Sequence, residues 1–144
     1  MPFLLKMNAF TNPIPEVGET GAFRGHDFKG ASEHIGKGDE IYLWASENRG
    51  GEGLCARGTI ENYWKSRFRN ETTDNTYVQV VVLVKVDFVP EKSVLKLINL
   101  GKPIESDPDV GRKEAYHLIA YHNHNKIAKI DEETAKFLAK KLKN

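Results

Sequence analysis

The sequence predicts an α+β domain that is mainly β: a barrel with short peripheral helices and a helix at its C-terminus. Three observations predict it. "TYVQVVVLVKVDFV", Thr76 to Val89, is β-branched, apolar on both faces at its middle and ended by Pro90. A strand buried on both sides is what a closed or nearly closed barrel supplies. "GDEIYLWASENRGGEGLCARGTI", Gly38 to Ile60, is two short apolar runs joined by a glycine- and arginine-rich loop, which reads as an antiparallel hairpin. At the end of the chain Asp131 caps a helix with Glu132 and Glu133 at its positive end and Lys140, Lys141 and Lys143 at its negative end. Ala135, Leu138, Ala139 and Leu142 make the buried stripe of that helix.

In chain order, Phe3 to Asn8 is a first strand, stopped by "TNPIPEVGETG" with its prolines and glycines. Asp27 to Ile35 is a short helix, ended where Gly36 takes a left-handed cap. The strand Glu40 to Ser46 sends Ile41, Leu43 and Ala45 to one side and Tyr42, Trp44 and Ser46 to the other. Leu54 to Ile60 is its partner, and Gly58 inside it suggests a bulge or a close backbone approach. "ENYWKSRFRNETTDN" reads as a polar loop dotted with aromatic residues. After the strand Thr76 to Val89, "EKSVLKLINL" through "GKPIESDPDVG" reads as a short helical or extended piece and a loop. "AYHLIAYHNHNKIAKI" then looks like a strand pair around a polar turn. No repeat or linker divides the chain, so residues 1–144 are expected to be a single domain.

A chain of 144 residues is long enough for a real core. Its net charge of +1 exerts no global pull on nucleic acid or membrane, so any anion-binding surface must be local. One cysteine, Cys55, makes neither an internal disulfide nor a zinc site by itself, which fits a reducing compartment. "MPFLLKMNAF" lacks the basic and long apolar regions of a signal peptide, and no apolar run reaches a membrane span. The expected location is the cytoplasm.

Catalytic and metal motifs fail on inspection. "YHNHN", Tyr121 to Asn125, has the letters of an HNH nuclease, but adjacent residues in a strand or turn point apart and do not converge on one metal. "NRGGEG" lacks the end of a phosphate-binding loop and the helix that follows one. Cys55 lies in an apolar strand with no histidine in recognisable relation to it, and Ser46 has no nucleophile-elbow context. Neither an enzyme, a metal nor a cofactor is expected.

Four stretches carry a resemblance. "FLLKMN", Phe3 to Asn8, is an aromatic and aliphatic run leading to a lysine and a polar residue. "GAFRGHDFKGASEHIGKGDEIYLWAS", Gly21 to Ser46, sets an aromatic before a small basic motif, a short helix, a glycine-acidic turn and a strand ending in an aromatic and a serine. "GLCARGTI", Gly53 to Ile60, is a glycine-led partner strand, and "IAKIDEETAKFLAKKL", Ile127 to Leu142, a last strand and closing helix. In this order they resemble the EVE domain, a PUA-like fold related to YTH domains. Phe23 stands where EVE domains usually carry tryptophan, and Gly25 to Asp27 where they usually carry asparagine. The resemblance implies a PUA-like, EVE-type β-barrel whose surface cavity accepts a base flipped out of DNA or RNA, often a modified one.

An extruded base loses its stacking partners, and aromatic rings restore them at ~1–3 kcal/mol per base. Trp44 is then either one wall of such a pocket or a plug in the core. By resemblance Phe23 supplies a second ring and Tyr77 a third, with Asn8 and Ser46 as polar groups for the base edge. Arg24, Arg49, Lys65, Arg67 and Arg69 lie in or beside the surrounding loops as phosphate contacts, joined by Lys29 and Arg57. "YWKSRFR", Tyr63 to Arg69, interleaves aromatic and basic residues as single-strand binders do. The alternatives are an enzyme on the same scaffold, such as an ASCH-like nuclease or hydrolase, and a domain holding a nucleotide-like small molecule.

Overall fold

The computed structural model describes residues 1–7, 14–46, 53–91, 100–104, 106, 108–120 and 125–143. Six strands close into a barrel: β1 (Phe3–Met7), β2 (Thr20–Asp27), β3 (Glu40–Ala45), β4 (Gly53–Arg69), β5 (Thr76–Phe88) and β6 (Lys126–Lys129). Around the barrel they run β1-β3-β4-β5-β2-β6. The β1–β3 and β2–β6 pairs are parallel and the other four antiparallel. A 3-10 segment, Phe28–Glu33, follows β2, helix α1 (Val110–Ala120) precedes β6, and helix α2 (Glu132–Leu142) closes the chain.

The alternation along β3 sorts residues into two cores. Ile41, Leu43 and Ala45 point into the barrel, where they meet Phe3, Leu5, Phe23, Val80, Val82, Val84 and Ile127. Tyr42 and Trp44 point outward into a second core, built with Leu4, Leu54 and Ala128 under Ala115, Leu118, Leu138 and Leu142 of the two helices. A barrel wall with apolar residues on both faces therefore needs a helical layer on one side, and α1 and α2 supply it. Strand β5 shows the asymmetry: Val80, Val82, Val84 and Val86 are buried inside, while Val81 and Leu83 on the outer face are half-buried.

Gly58 lies at a break in register between β4 and β5, and a Cβ there would meet Val84 Cγ1 at 2.4 Å and the Lys85 carbonyl oxygen at 2.6 Å. The close approach expected from the sequence is present, and only glycine fits it.

Several elements differ from expectation. "ENYWKSRFR" is strand rather than loop, because β4 continues to Arg69 against β5 and turns only at Asn70–Asn75. The β-branched start of β5 gives these residues a partner, and pairing overrides their polar composition. "AYHLIA" is helix rather than strand. Gly111, Ala115, Leu118 and Ile119 recur at helical spacing and are buried, and Gly111 brings α1 within 2.8 Å of the Glu133 carbonyl oxygen and Phe137 Cβ for an added Cβ.

The helix expected over Asp27–Ile35 is a 3-10 segment broken at Lys29 and Gly30, both with positive φ. The left-handed glycine beyond it is Gly38 (φ 93) rather than Gly36, whose N–H donates to Asp39 Oδ2 at 2.7 Å. Asp131 occupies the N-cap of α2 but its side chain makes no capping bond. Glu114 of α1 takes that role, its Oε1 accepting from the Asp131 N–H at 3.0 Å and from Thr134 Oγ1 at 2.7 Å. The hairpin loop 47–52, the segment 92–99 and Tyr121–His124 lie outside the described residues.

Candidate nucleic-acid interface

Past Ile60 β4 leaves β3 and runs on with β5 as an arm, which β2 still flanks as far as Gly25 opposite Val80 and which is two-stranded from Ser66 and Gln79 to its turn. The register slips between Ile60 and Asn62, so that one extra residue, Glu61, exchanges the faces of β4. Before the slip Ala56 and Ile60 point into the barrel. After it Tyr63, Lys65, Arg67 and Arg69 share the inward side with Val82, Val80, Val78 and Thr76, while Trp64, Ser66 and Phe68 share the outward side with Val81, Gln79 and Tyr77. Arg24 of β2 pairs with Val81 from the other side, so Arg24, Val81 and Trp64 form one row across three strands.

The outward face is an open aromatic surface with a cation on it. Phe68 stacks on Tyr77 with centroids 5.9 Å apart and an interplanar angle of 27°. The Arg24 guanidinium lies 4.2 Å from the centre of the Phe68 ring, within cation–π range. Trp64 is 43% exposed and Tyr77 39% exposed. The inward side carries the arm's other cations. Lys65 Nζ reaches Asp27 Oδ2 at 3.8 Å and Arg69 Nε donates to Asp74 Oδ1 at 2.6 Å, while Arg67 is exposed. Burial by itself would raise the Asp27 carboxyl. The Ser32 hydroxyl and N–H, donating at 2.5 and 2.8 Å, together with the Lys65 and His26 charges, outweigh burial and hold it below the usual carboxylate range.

The residues expected to line a base pocket are not brought together. Trp44 is 0% exposed in the outer core and Phe23 2% exposed inside the barrel, so the barrel wall stands between the two rings. Ser46 is buried and its N–H donates to the Met7 carbonyl at 2.8 Å. Tyr77 lies on the arm. Asn8 and Arg49 lie outside the described residues. Of the expected phosphate contacts, Arg24, Lys65, Arg67 and Arg69 gather on or against the arm, whereas Lys29 is in the 3-10 segment and Arg57 sits beside Tyr42 on the barrel.

The sequence shows Phe68 and Trp64 only as members of the aromatic and basic stretch "YWKSRFR", because "ENYWKSRFRN" reads as a loop and a loop gives its rings no common face. The alternation of Trp64, Ser66 and Phe68 with Lys65, Arg67 and Arg69 is the strand-like signal that finds them. Nothing in the sequence points to a second feature, the buried lysines Lys6 and Lys126, which face each other across β1 and β6. Lys6 Nζ donates to the Ile119 carbonyl at 2.8 Å near the end of α1, and Lys126 Nζ lies 5.1 Å from the centre of the Phe28 ring. Burial, and then the Lys6 charge, push the Lys126 ammonium down to about 8.

Cys55 Sγ donates to the Leu43 carbonyl at 3.2 Å and its thiol is pushed up to about 12 by burial, so it stays protonated and unreactive at neutral pH. Among the described residues no group of three or more His, Cys, Asp or Glu side chains is placed to hold a metal, and no helix is long and apolar enough to cross a membrane. The site and fold thus define a mainly β, closed six-stranded barrel with a projecting aromatic and basic arm. Comparison with protein-family models, curated proteins and solved structures finds no match for the chain.

Proposed function

We propose that the protein is a nucleic-acid-binding module that takes single-stranded or locally unpaired DNA or RNA on the β4–β5 arm. The observation that carries this reading is the outward face of the arm, where Trp64, Phe68 and Tyr77 form a solvent-facing surface with the Arg24 guanidinium laid over it. Large apolar side chains cost free energy in water unless a partner covers them, and bases are flat partners that stack on rings and guanidinium planes. Lys65 and Arg67, on the other face of β4 where it is an edge strand, would follow a phosphate backbone around that edge. Selection of a modified base, which the EVE resemblance implies, belongs to the same proposal. On this surface it would work by stacking and edge contacts rather than by enclosure against Trp44.

The test is a titration of the full chain with labelled single-stranded DNA and RNA, unmodified and carrying modified cytosine or adenine, at low and moderate salt. Trp64→Ala is expected to weaken binding by the ~1–3 kcal/mol of one stacking contact, roughly five- to a hundred-fold. Lys65→Ala is expected to weaken all sequences alike and to reduce the salt slope by about 0.7. Absence of binding at low salt, or binding indifferent to both changes, would overturn the proposal.

A further inference from the structure

Away from the arm, a cleft of about 660 Å³ opens between the 3-10 segment, α1 and the end of β6. Its size is that of a small-molecule site. Val110, Lys113, Glu114, His117 and Leu118 face it from α1, at the spacing that places residues on one side of a helix. Lys29 faces it from the 3-10 segment, His34 from just past the segment's end and Lys129 from β6. Among the described residues, three lysines and two histidines therefore line the cleft with one carboxylate, on a protein whose net charge is +1. That carboxylate is already engaged, since Glu114 accepts from Asp131 and Thr134 at the start of α2. The apolar lining is Phe28, Val110 and Leu118. Phe28 has the Lys29 ammonium 5.4 Å and the buried Lys126 ammonium 5.1 Å from its ring centre, which brings a further cation close behind the lining. Lys29, one of the lining residues, holds a left-handed backbone (φ 51), a conformation that costs a non-glycine residue of order 1 kcal/mol.

A cleft with excess positive charge from three elements and a short apolar wall suits a compact anion with an organic body. We propose that it binds a phosphate-bearing small molecule of nucleotide size, with the phosphate among Lys29, Lys113 and Lys129 and the body against Val110 and Leu118. This site is separate from the arm and does not depend on the nucleic-acid reading.

The experiment is calorimetric titration of the full chain with adenosine 5′-monophosphate and with pyrophosphate, in buffer of matched ionic strength. One saturable site per chain is expected for at least one of the two probes. Reversing charge at Lys113 and Lys129 (Lys113→Glu with Lys129→Glu), which are half-buried and exposed and so replaceable without opening a core, should lower affinity at least ten-fold with the thermal midpoint retained. Trp64→Ala should leave the affinity unchanged. If the charge reversal unfolds the chain, Lys129→Ala alone is read, with a loss of about three-fold or more expected. No saturable binding of either probe, binding that survives the charge changes, or binding abolished by Trp64→Ala would overturn the assignment.

Discussion

Strands β4 and β5 are each continuous, yet their two halves live in different solvents. In the barrel half, Ala56, Ile60, Val82 and Val84 are sealed by strands across the interior, and Leu54 by the helices outside. In the arm, Trp64, Tyr77 and Val78 face water although the backbone pairing is uninterrupted from Asn62 to Arg69. Backbone hydrogen bonds alone do not bury a side chain; a second layer does, and the outer face has none, either at the three-stranded row of Trp64 or on the two-stranded ribbon beyond it. The arm therefore spends its rings on one another and on Arg24, and it keeps an apolar surface that the barrel half would have hidden. On β4 the change begins at the slip at Glu61, past which Tyr63, Lys65 and Arg67 stand where Ile60 would have continued inward, whereas β5 stays buried on its inner face as far as Val80.

Tryptophan substitutions at the two ends of this contrast should behave oppositely. Trp44→Ala empties a fully buried site in the outer core and should cost on the order of 3–5 kcal/mol, lowering the thermal midpoint by about 10 °C or more. Unfolding followed by circular dichroism checks this, and a midpoint within about 2 °C of the parent would remove Trp44 from the core.

Lys126 sharpens the comparison, because it is a charge held 1% exposed within the body of the fold. Its folded pKa of about 8 lies below the ordinary value of 10.5, so the folded state binds the proton less tightly than the unfolded chain. Below pH 8 the cost of the buried charge is fully present. Between pH 8 and 10.5 it is relieved as the native lysine loses its proton first. Relative to Lys126→Met, the parent should gain stability across that window by up to ~1.4 kcal/mol per pH unit. Denaturant unfolding at pH 7, 8, 9 and 10 reads it, and a difference that is flat or falls with pH would contradict the assigned direction.

Trp64→Ala carries the smallest stability change, within about 1 kcal/mol, since the 43% exposed ring lies outside both cores and its loss opens no cavity. The same variant that leaves the midpoint in place is the one expected to lose oligonucleotide binding. A large drop in its midpoint would show that the arm is braced by Trp64 and is not a free platform.

Local pattern in the sequence was sufficient for the facing of β3, the buried core of β5, the constraint at Gly58 and the apolar stripe of α2, because each is set by residues within one strand or one helix. The division of Trp44 from Phe23 was not readable there. Strand alternation says that a side chain points to one face, but which face is the barrel interior depends on how six strands close and where α1 and α2 settle. The extension of β4 through "ENYWKSRFR" was decided by the availability of β5 as a partner, and the helical state of "AYHLIA" by Gly111 packing against α2. The open face of Arg24, Phe68 and Tyr77, and the ring of lysines around the cleft, join residues more than forty positions apart. Such groupings arise only from closure of the sheet, since no periodicity along the chain records them.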